Sequence, residues 1–220
     1  MSHPCVPRAM LVLLLTAVTF CGGVCVAADD DAVPLFNGKD FDGWMSAGGG
    51  EPSPGWVVED GAMVRKDRAS YIWTRERFGD FVLELDYKTE GNSGIFIRTD
   101  DPRNCVQTGI EVAINNPTNN PNKHSPGALY DLIAPVKEMS KRGEWNHVVI
   151  TAKGPQITVE INGEGVVDAN LDQWTTPHKN PDGTNNKFNT ALKDFKREGH
   201  IGFQDHGATV MYRNVKLKRL

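Results

Sequence analysis

The sequence predicts an all-β fold for residues 34–220, a two-sheet antiparallel β-sandwich or jelly roll. The first observation is that about eleven short segments show the apolar alternation or apolar runs of strands, separated by Gly, Pro and Asn. The second is that helical periodicity is limited to a turn or two near residues 191–196. Short strands without intervening helices favour antiparallel sheets, because parallel pairs need long, usually helical, crossovers.

The predicted strands follow one another along the chain, with turn signals between them. Asp60-Gly61 is the strongest hairpin signal. The clearest alternation lies in residues 81–87, whose odd-numbered residues are apolar and are expected to face inward. Strands are expected at residues 56–59, 62–65, 71–74, 81–87, 95–98, 109–114, 128–133, 145–152, 156–161, 165–167, 200–203 and 210–217.

Two long segments interrupt this rhythm. Residues 115–127 are rich in Asn and Pro, and residues 172–199 form a longer irregular stretch. Long loops in compact domains usually carry a function or are mobile. We expect these two segments to wall a cleft at one end of the sandwich or over one sheet face.

The first 28 residues have the layout of a secretory signal peptide. Arg8 supplies the positive charge, residues 9–20 form an apolar run, and Val26-Ala27-Ala28 ends a small-residue region. The run is too short to span a membrane, and no span is expected after the leader is cleaved. Cleavage would leave about 190 residues, the size of one domain. The sequence therefore predicts an exported protein, periplasmic or extracellular.

Composition restricts the classes of function further. Cys105 is the one cysteine outside the leader, so the mature chain cannot form an internal disulfide, and we interpret Cys105 as a passive thiol. Removing Arg8 with the leader changes the formal net charge from −4 to −5. A mildly acidic chain without a basic stripe argues against nucleic acid or an anionic membrane as the partner.

Two familiar catalytic patterns are weak in this chain. Glu84, Asp86 and Glu90 resemble the carboxylate set of sandwich glucanases. Glu90, however, falls in a turn beyond the strand, so charges on a solvated sheet face are the preferred interpretation. The histidines show no short metal-ligand spacing. The cofactor requirement is therefore undetermined, with a divalent cation as one alternative.

Polar residues on strands predicted to be neighbours form the candidate site. A half-buried strand needs apolar residues on one row only, so a polar opposite row is either wet surface or the floor of a site. Residues 201–207 have such a row. Convergent titratable groups of complementary types favour a site. The residues expected together on one sheet face are Arg98, Glu111, Asp131, Gln204 and His206.

The chain resembles a known family through several motifs. These motifs, in the family's order, are Leu35–Trp44, Gly91–Arg98, Gly143–Asn146, Ile161–Gly163, Ile201–Gly207 and Tyr212–Val215. The family is the 3-keto-disaccharide hydrolase domain, formerly a domain of unknown function, and the resemblance covers residues 34–220. It implies a concanavalin A-like jelly roll, in agreement with the strand count, and an exported bacterial protein.

The resemblance implies hydrolysis of a 3-keto-glucoside or 3-keto-disaccharide by a redox-assisted route. The C3 ketone acidifies the C2 proton; a base removes this proton, the C1 substituent leaves, and water adds to the resulting enone. In this scheme His206 or Glu111 is the base, and Arg98 stabilises the enolate. The expected substrate-binding residues are Gln204, Asp131, Asn92 and Trp174.

One position departs from the family's pattern. The family's strand usually reads Glu-Val-Gln, whereas this chain has Glu111-Val112-Ala113. The Glu matches, and the missing amide could change the substrate preference. In the same scheme Asp131 would steer a water molecule or bind a divalent cation.

A second hypothesis is a non-catalytic carbohydrate-binding module, because the same fold serves lectins. Exposed Trp44, Trp73 or Trp174 would then stack on sugar rings. Such a module would bind unmodified glycans and leave 3-keto sugars intact. A conventional glycoside hydrolase is the third hypothesis, and the displaced Glu90 argues against it.

Overall fold

The computed structural model describes Met1 and residues 31–220. Apart from Met1, the predicted leader lies outside the described residues. Within residues 31–220, no helix is long and apolar enough to cross a membrane. These residues form two antiparallel sheets, which confirms the predicted all-β sandwich.

The larger sheet has eight strands in the described part of the chain. They are β1 Val33–Pro34, β3 Trp56–Glu59, β4 Ala62–Arg65, β6 Phe81–Thr89, β9 Asn146–Lys153, β10 Gln156–Ile161, β11 Glu164–Asn170 and β13 Val210–Arg219. Their order is β11-β10-β9-β6-β13-β4-β3, and β1 pairs with β13. The predicted hairpin turn joins β3 to β4: Asp60 and Gly61 have φ angles of +48° and +74°, as a type I′ turn requires.

Within residues 31–220, the smaller sheet has five strands. They are β2 Trp44–Ser46, β5 Ile72–Thr74, β7 Ser93–Thr99, β8 Ile110–Ile114 and β12 His200–Phe203. Their order is β2-β5-β12-β7-β8. A short helix, α1 (Cys105–Thr108), lies between β7 and β8, and the helical turn expected near residues 191–196 is a 3₁₀ turn at Leu192–Asp194.

The hydrophobic core lies between the two sheets. Along β6 the buried residues are the alternate ones that were predicted to face inward. Ile95 and Ile97 of β7 belong to the same buried cluster. Phe203 and Tyr212 stack across the two sheets with their ring centroids 3.9 Å apart. Because each strand gives alternate residues to this core, the remaining residues of the smaller sheet point away from it.

The strand predicted at residues 128–133 is wrong, although the segment does pair with the sheet. It runs beside β8, where Tyr130 N donates a hydrogen bond to Glu111 O at 2.8 Å. Asp131 has a φ of +66°, and a left-handed residue interrupts an extended chain. The segment nevertheless covers an edge of β8 that would otherwise expose unpaired backbone groups.

Candidate functional site

The candidate site is the face of the smaller sheet that points away from the core. Strand pairing aligns its outward residues in two rows. The first row, from β5 to β8, is Trp73, Gly202, Phe96 and Glu111. The second row, from the end of β12 to β8, is Gln204, Gly94 and Ala113. These rows bring the predicted site residues Glu111 and Gln204 onto one face.

Each row contains a glycine that a neighbouring side chain covers. A Cβ at Gly202 would overlap the Trp73 ring, and a Cβ at Gly94 would lie 2.7 Å from Glu111 Oε1. Neither glycine has a positive φ, so the requirement is for space and not for an unusual backbone conformation. The Glu111 side chain therefore lies over Gly94, which forms a floor between Glu111 on β8 and Gln204 on the opposite side.

Glu111 is the buried carboxylate of this face, with 6% of its surface exposed. Burial raises the pKa of Glu111 to about 7, against the opposing effect of Lys187, whose Nζ lies 3.9 Å from Glu111 Oε2. A carboxyl group that titrates near neutral pH can accept a proton at pH 7 and release it again. These are the properties of a general base.

Gln204 has a free hydrogen-bond acceptor on the same face. The residue is 7% exposed, and its Nε2 donates to the Tyr71 hydroxyl at 2.9 Å. Its Oε1 is buried and has no partner among the described residues. A buried carbonyl without a donor destabilises the protein by about 1–3 kcal/mol, and a ligand hydroxyl would remove this penalty.

An aromatic patch adjoins the floor on the β5 side. The Phe96 ring centroid lies 5.7 Å from that of Trp73 and 5.8 Å from that of Tyr71. Cys105 packs against this patch, and burial raises the pKa of its thiol to about 11. The thiol is therefore protonated at neutral pH and is a passive packing group.

Lys187 comes from the long segment 172–199 and lies on the β8 side of the face. Its backbone N donates to Asp131 Oδ2 at 2.7 Å, and its backbone O accepts from Gln107 Nε2 at 3.0 Å. Its Nζ lies 4.2 Å from the centroid of the Tyr130 ring. The long segment 172–199 thus borders the candidate site, and a cleft walled by both long segments stays a prediction.

The prediction that Arg98 shares the face of Phe96 is wrong. Arg98 has a φ of +49°, which breaks the alternation of β7. The guanidinium group is fully buried and donates to Gly79 O at 2.8 Å, to Gly154 O at 2.6 Å and to Asp80 Oδ1 at 2.7 Å. These partners lie at the end of the larger sheet, so Arg98 ties the two sheets together and is not available to an enolate.

Replacing Arg98 should therefore affect stability and not catalysis. We expect Arg98→Met to lower the free energy of unfolding by about 2–4 kcal/mol, because two carbonyls and the Asp80 carboxylate lose their donor. Urea denaturation measures this loss, and Arg77→Met, at a partly exposed ion pair, is the control with a change below about 1 kcal/mol. An Arg98→Met variant that keeps its stability but loses activity would show instead that Arg98 acts in catalysis.

The predicted sugar-binding role of Trp174 is also wrong. The side chain is 3% exposed, belongs to the main core, and donates from Nε1 to Asn180 Oδ1 at 2.7 Å. Trp44 and Trp73 are fully buried as well. The three indoles that the carbohydrate-binding-module hypothesis needs as exposed stacking surfaces are therefore covered.

His206 and Asn92 lie just outside the strands that form the face. β12 ends at Phe203, and His206 is exposed in the following loop, which Asp205 tethers by accepting a hydrogen bond from Ala69 N at 2.8 Å. Asn92 is half-buried and comes just before β7. The catalytic role of His206 and the substrate-binding role of Asn92 stay predictions.

Asp131 has an observed partner on each oxygen. Oδ2 accepts the Lys187 backbone hydrogen bond, and Oδ1 lies 3.8 Å from His124 Nε2. In residues 31–220, no group of three or more His, Cys, Asp or Glu side chains is arranged to hold a metal ion. Asp131 thus holds the backbone of Lys187, and its role toward water or a cation stays a prediction.

Tyr71 and Lys187 are site residues that the sequence analysis did not identify. Tyr71 carries a usable signal, because it alternates with Trp73 in the predicted strand and so belongs to the same outward face. Lys187 carries none, because the irregular segment 172–199 has no period that would set the direction of its side chain.

The chain is similar to known proteins both in sequence family and in fold. Residues 31–218 match the family described as the 3-keto-α-glucoside-1,2-lyase-like domain. A 3-keto-disaccharide hydrolase of Bacteroides thetaiotaomicron is 28% identical over an alignment that covers 87% of this chain and 79% of that protein.

Two solved structures from Parabacteroides distasonis, both of proteins proposed to be glycosyl hydrolases, are also similar. The first has a TM-score of 0.77 and 29% identity and covers 86% of this chain and 99% of its own. The second has a TM-score of 0.71 and 28% identity and covers 86% of this chain and 94% of its own. The similarity extends over nearly the whole of both structures.

Proposed function

The chain belongs to the 3-keto-α-glucoside-1,2-lyase-like family, and we propose that it cleaves 3-keto-glucosides, including 3-keto-disaccharides, by removing the C2 proton. Family membership makes it a carbohydrate-active, hydrolase-like enzyme. The observation that carries the finer proposal is the pair formed by Glu111 and Gln204. A buried carboxylate whose pKa is raised to about 7 and a buried acceptor without a partner lie on the same sheet face, on strands to either side of Gly94.

The reaction follows from the chemistry of the ketone. Glu111 takes the proton from C2, and the electron pair of the broken C2–H bond moves onto the C3 oxygen as an enolate. The enolate then re-forms the ketone, the C1–O bond breaks, and the leaving oxygen takes up a proton. The product is a 2-hydroxy enone. Addition of one water molecule, with its hydroxyl group at C1 and its proton at C2, completes a net hydrolysis, outside the usual two-carboxylate route.

Glu111 is the preferred base because it is buried beside the floor and its pKa is matched to neutral pH. Gln204 Oε1 is placed to accept a hydrogen bond from a sugar hydroxyl and so to orient the ring. His206 is the second candidate base. The predicted leader, residues 1–28, extends the proposal to an exported enzyme acting in the periplasm or outside the cell.

The test is incubation of the purified protein with a 3-keto-glucoside that carries a chromogenic aglycone. We expect release of the aglycone and transient enone absorbance, and no release from the unmodified glucoside. His206→Ala should retain most of the turnover if Glu111 is the base, and Glu160→Gln, at an exposed carboxylate of β10, should retain all of it.

Two results would contradict the proposal. Absence of aglycone release above the buffer rate would exclude the reaction itself. Loss of turnover in His206→Ala with full turnover in Glu111→Gln would assign the base to His206. Tight binding of unmodified disaccharides without any turnover would instead favour a carbohydrate-binding module.

A further inference from the structure

The proposed reaction places a negative charge on the C3 oxygen, and the predicted partner of this charge, Arg98, is bound elsewhere. We propose that Lys187 is the catalytic cation, whose ammonium group donates a hydrogen bond to the C3 oxygen and stabilises the enolate. This inference rests on the proposed function. It assigns a catalytic role to a residue of the long segment 172–199.

The position of Lys187 fits this role. Its Nζ lies 3.9 Å from Glu111 Oε2, and in the described part of the chain Glu111 is the one carboxylate within 4.0 Å of it. The C2 hydrogen and the C3 oxygen sit on adjacent carbons, so the base and the cation that serve them must lie close together. A separation of 3.9 Å is an ion pair and not a direct hydrogen bond, so the ammonium protons are free to bind the substrate.

Lys187 is held in place from several directions. Asp131 fixes its backbone N, and the Gln107 side chain spans the segment by donating to Lys187 O and accepting from Asn189 N at 2.9 Å. The ammonium lies over the Tyr130 ring, an arrangement that favours a cation. Such fixation of one lysine within an irregular loop is the preorganisation that electrostatic catalysis needs.

The electrostatics favour the transition state over the ground state. Before reaction, Lys187 interacts with ionised Glu111 across 3.9 Å. When Glu111 takes the proton it becomes neutral, and the negative charge moves to the C3 oxygen, where Lys187 binds it through a direct hydrogen bond. An interaction that strengthens as the charge develops lowers the barrier. No covalent bond to Lys187 forms in any step.

The test compares Lys187→Met and Lys187→Arg with Lys196→Met, a change at an exposed lysine of the same segment. Two rates are measured on a 3-keto-glucoside: deuterium exchange at C2 in D₂O and aglycone release. We expect Lys187→Met to lower both rates about 10²-fold, the effect of removing one oxyanion donor. Lys187→Arg should lose less, because it keeps the charge, and Lys196→Met should lose nothing.

The pH profile supplies a second readout, which reports whether Lys187 carries its positive charge beside Glu111. The positive charge of Lys187 lowers the pKa of Glu111, so the acidic limb of kcat/KM should move to higher pH in Lys187→Met. If this variant does not fold, Asp131→Asn, which weakens the backbone attachment of Lys187, should lower both rates in a stable protein.

The outcomes separate this inference from the proposed function. A wild-type protein that neither exchanges C2 deuterium nor releases aglycone overturns the proposed function itself. An active wild type together with a folded Lys187→Met variant of equal exchange and release rates overturns the role of Lys187 alone.

Discussion

Glu111→Gln is expected to lower kcat/KM on a 3-keto-glucoside by about 10³- to 10⁴-fold, the upper range for loss of a general base. A glutamine amide has nearly the shape of the carboxyl group but cannot accept a proton from carbon. In the wild type, kcat/KM should rise with pH through the pKa of Glu111, about 7, because only the ionised form is a base. Rates measured from pH 5 to pH 9 check both expectations.

The same substitution should stabilise the protein at high pH. The Glu111 carboxyl has an ordinary pKa of 4.5, and burial raises it to about 7 in the folded state. Between these pH values the folded chain holds one more proton than the unfolded chain. The free energy of unfolding of the wild type therefore falls by roughly 3 kcal/mol as the pH rises through this window, and Glu111→Gln lacks this loss.

Thermal or urea denaturation at pH 4 and pH 8 measures the difference between the two proteins. The stability advantage of Glu111→Gln should be larger at pH 8. Glu160→Gln, at an exposed carboxylate, should show no such pH-dependent advantage. An equal difference at both pH values would mean that the pKa of Glu111 is the same in the folded and unfolded states and that Glu111 is not a base matched to neutral pH.

Gly94→Ala is expected to lower kcat on the same substrate by about 10²-fold. The new methyl group would lie 2.7 Å from Glu111 Oε1, so the carboxyl must move by about 1 Å to restore an ordinary contact of about 3.5 Å. A displacement of about 1 Å at a reacting group is enough for a loss of this size. Gly94 is thus a positioning residue for Glu111.

The split between kcat and KM distinguishes this effect from damage to the fold. We expect kcat to fall more than KM changes, because Gln204, the proposed sugar contact, is untouched and the proposed base is displaced. The control is Gly165→Ala on β11, where a Cβ meets open space. An unchanged kcat in a folded Gly94→Ala variant would show that the carboxyl is not held by this contact.

The sandwich and half of the site could be predicted from the sequence. Alternation in a strand is a local property, since successive side chains point to opposite faces whatever the strand pairs with. It therefore placed Glu111 and Gln204 opposite the apolar residues of their own strands. Their common face required only that both strands belong to one sheet, and the outward rows of the structure confirm it.

The predictions for Arg98 and Trp174 were wrong because the local sequence does not determine where these side chains point. Alternation holds only while the backbone stays extended, and the left-handed φ of Arg98 turns its guanidinium toward the larger sheet. Trp174 lies in an irregular segment, where an indole on a loop is equally compatible with a sugar platform and with the core. Its burial was decided by how the segment packs, which no periodicity records.

The sequence by itself determined the two-sheet fold and the outward direction of Glu111 and Gln204. Only the tertiary structure decided which cation meets Glu111. Lys187 reaches the carboxylate because Asp131 and Gln107, from two other parts of the chain, hold its backbone against the β8 side of the sheet. The direction of a side chain on a strand follows from the local pleat, whereas the position of a loop side chain depends on contacts between distant segments.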